Sequence, residues 1–179
     1  MMAYSLEQFV ADSRRSLEAD TGPEGLDAIR KHFENLLVDE DFLATHFDAD
    51  AAPAARTLHE DPQTGMCVLA HVIEPGGEGK PHDHGPAWAV YGQADRHTEM
   101  KEWRRTDDGT DDGRATLEIV NAYRMEAGRA VVFGPGAIHS VHHPEGAWLV
   151  RVTATNLSRV VRSSYDADEG TVRRSQPAA

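Results

Sequence analysis

The stretch Pro81-His82-Asp83-His84-Gly85 lies between two runs rich in apolar, β-branched and aromatic residues, and its reading decides the fold. In an extended chain, residues two apart project to the same side, so His82 and His84 present their imidazoles together while Asp83 turns away. Further along comes a second histidine-rich segment, Ile138-His139-Ser140-Val141-His142-His143; the two segments together hold five of the ten histidines. A third imidazole from a strand across a barrel would complete one face of a coordination sphere and leave the other positions open to a substrate and oxygen.

The surroundings of both segments are β in texture. From about Ala54 onward, short runs rich in Val, Ile, Thr, Tyr and Trp are punctuated by Gly, Pro and Asp clusters. The expected strands are 55–60, 66–74, 80–84, 87–92, 96–104, 116–124, 130–133, 138–142, 147–155 and 159–164. This many short strands, with no helical pattern between them, favour a jelly-roll sandwich or barrel. The acidic stretch from Thr106 to Gly113 reads as a solvated hairpin loop, since its spacing does not fit an EF-hand.

Ahead of the strands, two or three helices are expected. Ser5 and Gln8 make a capping box, followed by Leu6, Phe9, Val10 and Leu17 at roughly helical spacing. Pro23 suits a first helical turn, and Leu26, Ile29, Phe33, Leu36 and Leu37 form a second apolar stripe. The expected organisation is a helical segment over 1–53 packed on a barrel over 54–165, with a loose tail over 166–179.

Composition narrows the function classes. A length of 179 residues suits one domain. A formal charge of -12 opposes phosphate backbones and acidic membranes, and Arg173-Arg174 is too small a patch to override it. No apolar run approaches the ~20 residues that cross a bilayer, and no signal segment is evident near Met1. A cytoplasmic monomer or homodimer, with neither nucleic acid nor membrane as partner, is the expectation. Lone Cys67, within Met66-Cys67-Val68-Leu69-Ala70, suits a buried strand.

Residues 77–84 with the following strand resemble the first cupin motif, and Gly128 to His143 resembles the second. Gly128, Gly136 and His139 stand at that family's intervals, so the resemblance makes His139 the third metal ligand. Gly134 replaces a usual Pro, and His143 a usual Asn. The position that usually supplies a Glu ligand falls on Trp88 or Ala89, which leaves three histidines without a carboxylate. The all-histidine set, the leading helices and the string His82-Asp83-His84 resemble the thiol dioxygenases, the cysteine and 3-mercaptopropionate enzymes.

That resemblance implies iron(II), a small acid substrate, O2 and conversion of a thiol to a sulfinate; Mn, Ni, Co and Zn also suit histidine sites. It implies an arginine clamp on the substrate carboxylate, for which Arg56, 26 residues before His82, has the spacing. Arg151 and Thr153 stand where the family's relay carries His and Tyr, and Ala89 stands near its crosslinked cysteine. Arg151 is the second candidate for the clamp.

Three further roles are open on the sequence alone. Trp88 shares parity with His84 and either walls the pocket or fills the barrel. His143 shares parity with His139 and either supports the metal ligands or packs. Tyr91 and Tyr123 are candidate proton donors. His32, His46, His59, His71 and His97 show no ligand pattern. Two other functions compete with oxygen chemistry: a metal-dependent isomerase, lyase or hydrolase using the ion as a Lewis acid, and a non-catalytic module that binds a small acid.

Overall fold

The computed structural model describes residues 3–47 and 55–177. The chain opens with α1 (Leu6–Ala19), α2 (Pro23–Leu36) and α3 (Glu40–His46). Each starts where the sequence supplies a start signal. Ser5 Oγ accepts from the Gln8 N–H at 3.2 Å, Pro23 opens α2 with the donor it lacks, and Asp39 Oδ1 accepts from the Phe42 N–H at 2.9 Å. The apolar stripes of α1 and α2 face each other, with the Phe9 and Phe33 rings 5.2 Å apart.

The strands are β1 (Ala55–Glu60), β2 (Cys67–Val72), β3 (Gly77–Glu78), β4 (Ala89–Asp95), β5 (His97–Arg105), β6 (Leu117–Glu126), β7 (Ala130–Phe133), β8 (Ile138–His143), β9 (Trp148–Thr153), β10 (Ser163–Asp166) and β11 (Thr171–Arg174). A five-stranded sheet in the order β1-β2-β9-β4-β7 faces a four-stranded sheet in the order β3-β8-β5-β6, and the pairings are antiparallel. This is the expected mainly β fold, a double-stranded β-helix or jelly-roll barrel with three leading helices.

Strand alternation divides the five-stranded sheet between two cores. Val68, Ala70, Val90, Val150 and Val152 turn outward to Phe9, Ile29, Phe33 and Leu36 of the helices. Ala89, Tyr91 and Leu149 turn inward and meet Met100, Met125 and Phe133. The close fit of α2 depends on Gly92, where an added Cβ would come within 2.6 Å of side-chain carbons of Phe33 and Leu37. Cys67 is buried, as its apolar run predicts, and burial pushes its thiol up.

Three expectations are corrected. Residues 80–84 are not a ladder strand; they are an extended segment held by isolated bridges of His82 to His139 and to Ser164. Pro81 has no N–H to give a ladder, and Gly85 at φ 57° turns the chain immediately afterwards. The run 159–164 begins as a 3₁₀ turn over Leu157–Arg159. Finally, where a loose tail from 166 was expected, β10 and β11 pair over residues 163–174. The 53/54 boundary lies outside the described residues. Between β5 and β6 the acidic loop is solvated, and its aspartates cap their own turns, Asp107 accepting from the Gly109 N–H and Asp108 from the Thr110 N–H.

Candidate metal centre

β8 places His139 inside the barrel, and the bridge between His82 and His139 sets the extended segment beside it. The three ring centroids are 4.5 Å (His82–His139), 5.0 Å (His84–His139) and 5.3 Å (His82–His84) apart. One ring nitrogen from each lies within 4.8 Å of the others, and the described residues hold no other such group of His, Cys, Asp and Glu. Phe133 stacks on His139 at 3.9 Å and fixes its plane.

Hydrogen bonds behind the rings select tautomers. His82 Nδ1 lies 3.0 Å from the Lys80 carbonyl and His139 Nδ1 3.2 Å from the Ala137 carbonyl. A ring nitrogen facing a carbonyl must carry the proton, which leaves Nε2 of both rings as a bare lone pair. His139 Nε2 and His84 Nδ1 are buried without a hydrogen-bond partner. Buried lone pairs on converging imidazoles are costly unless something accepts them, and a divalent ion does so.

Electrostatics keep the rings neutral. Burial, then the neighbouring rings and the charges of Arg151 and Arg162, push His84 down to about 2. Burial, then His82, takes His139 down to about 3. His82 is lowered as well, chiefly by burial, with its bond to the Lys80 carbonyl working the other way. Neutral imidazole is the form that binds a metal. The residues therefore fit a divalent cation held by three histidines.

Asp83 faces away from the cluster, as expected, and anchors the segment. It is 6% exposed, and its carboxylate accepts from the N–H groups of Gly85 and Ser163 and from the Tyr165 hydroxyl. The hairpin of β10 and β11 therefore clasps the segment that carries two of the three histidines.

The remaining candidates separate by strand parity. Tyr91 and Leu69 are both in register with Arg151, in a row across β4, β9 and β2 on the inner face. Tyr91 Oη lies 3.1 Å from His84 Nε2, and the Arg151 guanidinium sits 5.8 Å from the Tyr91 ring centre. Tyr123 also lies in the inner cluster, its hydroxyl buried without a partner and its pKa raised by burial.

Arg56 is corrected: it pairs with Ala70, a helix-facing position, is exposed, and donates to the carbonyl of His46. It cannot clamp a ligand inside the barrel, and Arg151 is the arginine that faces inward. Trp88 does not wall the centre; it packs against the helix-side core. His143 lies about 13 Å along the strand from His139, at ~3.3 Å per residue, and its Nδ1 is 2.8 Å from Thr98 Oγ1, so it supports no metal ligand directly.

Sequence reasoning passed over two residues. Arg162, just before β10, lines one cavity with Arg151 and another with His82, and nothing local in the sequence marks it. His71 is held down to about 3 by burial, then by the charge of Arg151. It shares parity with Cys67 and Leu69, and that alternation was the signal for an inward position.

Solved barrels resemble this chain. KdgF from Halomonas sp. is similar over 55% of this chain and 74% of its own, with 14% identity and a TM-score of 0.42. An oxalate oxidase in complex with the substrate analogue glycolate is similar over 60% of this chain and 54% of its own, with 18% identity and a TM-score of 0.41. The Cnp3 cupin domain of Schizosaccharomyces pombe is similar over 57% of this chain and 64% of its own, with 10% identity and a TM-score of 0.40. None of these values carries an activity from one protein to another. No family model and no curated protein matches the sequence.

Proposed function

We propose that this chain is a cupin metalloenzyme, an iron(II) dioxygenase that converts a small carboxylated thiol to its sulfinate in the cytoplasm. The observation that carries the reading is the convergence of three neutral, carboxylate-free imidazoles on one point of the barrel interior. The overall conversion balances with oxygen alone: RSH and O2 give RSO2H, sulfur being oxidised and oxygen reduced.

His82, His84 and His139 would hold the metal, which supplies Lewis acidity and a redox couple for O2 when bound. Because all three imidazoles are neutral, they would leave a bound cation its full charge, which would favour an anionic sulfur. Arg151, on the inner face beside Tyr91, holds the substrate carboxylate and so orients the sulfur end toward the histidines. Tyr91 Oη accepts from the His84 Nε2–H across 3.1 Å, which orients that ring and leaves the hydroxyl proton of Tyr91 free to point into the reacting region. The apolar wall of Met100, Met125, Phe133 and Leu149 limits water there.

The test is oxygen uptake by iron-loaded protein with cysteine, 3-mercaptopropionate and cysteamine. Uptake with either acid above that with cysteamine supports the reading. Silence with all three removes the thiol chemistry, and turnover of a substrate without oxygen moves the metal to Lewis-acid work.

A further inference from the structure

Arg162, on the turn that precedes β10, lines the same cavity as Arg151. The cavity measures about 180 Å³ and is also lined by Thr57, Leu69, Asn156 and Leu157. The Nε atoms of both arginines are buried and unbonded, and neither guanidinium has an acidic partner among the described residues. This chain carries 30 acidic residues and pairs its other partly buried arginines readily: Arg14 with Asp61, Arg30 with Asp27 and Glu34, Arg105 with Asp107.

Two half-buried guanidinium groups in one small cavity, with buried Nε atoms and no acidic partner among the described residues, repel each other, a cost that an incoming anion relieves. Arg162 also lines a neighbouring cavity together with His82 and Asp83, and Arg151 sits over the Tyr91 ring beside His84, which links the subsite to the histidine cluster. A single carboxylate neutralises half of that charge. We propose that Arg151 and Arg162 form a two-guanidinium subsite that takes a doubly anionic end of the substrate, with a dicarboxylate preferred over a monocarboxylate. The subsite deepens the proposed function and rests on it for the place of the reacting end. The cavity is small beside the ~300–1,000 Å³ of drug-sized pockets, so it takes the acid groups and leaves the rest of the substrate toward the histidines.

The experiment is calorimetric titration and thermal unfolding of the full-length protein as purified, using succinate, propionate and inorganic phosphate. None of these carries a thiol, so failure of thiol oxidation leaves the result intact. Succinate is expected to bind at least tenfold tighter than propionate. Arg151→Met and Arg162→Met should each erase that preference. Their ligand-free melting temperatures should equal or exceed that of the parent, because each removes one of two mutually repelling charges that have no acidic partner among the described residues. Arg162→Met should still bind cobalt(II), which separates loss of the subsite from loss of the metal centre. Phosphate binding tighter than succinate would also support the subsite and would assign the two charges to a phosphoryl group. Equal binding of succinate and propionate, or variants that bind succinate as the parent does, would overturn the proposal. So would Met variants that melt well below the parent, since they would mark the arginines as structural.

Discussion

The Tyr165 hydroxyl donates to Asp83 Oδ2 at 3.0 Å, joining the C-terminal hairpin to the residue between two candidate metal ligands. Asp83 also accepts from backbone N–H groups of Gly85 and Ser163, so its carboxylate gathers three donors from both sides of the segment.

Asp83→Ala should therefore act on the metal as well as on stability. Orphaning those donors costs about 1–3 kcal/mol, and loosening support behind ligands costs ~10–100-fold in metal affinity. Tyr165→Phe removes one bond and should cost about 1 kcal/mol. Cobalt(II) titration with denaturant melts of both variants checks the pair. An Asp83→Ala protein that binds cobalt as the parent does would contradict the anchoring role.

Arg56→Ala should leave substrate affinity and oxygen uptake unchanged, because its side chain is exposed on the helix side and donates to the His46 carbonyl. The expected stability change is within about 1 kcal/mol. Steady-state kinetics beside Arg151→Ala decide between the two clamps: only the latter should raise KM.

Gly92→Val places a branched side chain where even a Cβ would press on Phe33 and Leu37. Overpacking of this kind costs roughly 1–3 kcal/mol. The strain falls on the outer face of β4, so cobalt affinity should hold while the melting temperature drops.

Acid should weaken the fold before any carboxylate titrates. Burial holds His71 at about 3 and His143 at about 4, against 6.5 for the free side chain. The folded values are depressed, so below ~6.5 the unfolded chain takes up protons that the folded chain refuses. The stability is fully present above that pH and is lost as the pH falls toward the folded values. Each such histidine contributes a slope of about 1.4 kcal/mol per pH unit within that window. Denaturant midpoints at pH 7.5 and 5.5 should differ accordingly, and His143→Gln should flatten the dependence.

Much of this was written locally. The short β-branched and aromatic runs, the turn residues around them and the His82-Asp83-His84 spacing are short-range patterns, and they yielded the β barrel and the pairing of His82 with His84, while His139 entered through the resemblance to the second cupin motif. What escaped needed three dimensions. Arg56 and Arg151 differ only in which face of a sheet they occupy, and register decides that face. Trp88 precedes β4 at the parity of Val90 and so joins the helix side. Arg162 arrives from a hairpin whose pairing with the His82 segment spans about eighty residues of sequence, and no window along the chain contains both partners.

That late-arriving hairpin has a consequence for how the protein is made. The His82 segment is synthesised long before Ser163, Ser164 and Tyr165, which pin it. A nascent chain still lacking those residues has the His82 and His84 imidazoles without that brace, so the segment is pinned only after Ser163, Ser164 and Tyr165 have emerged.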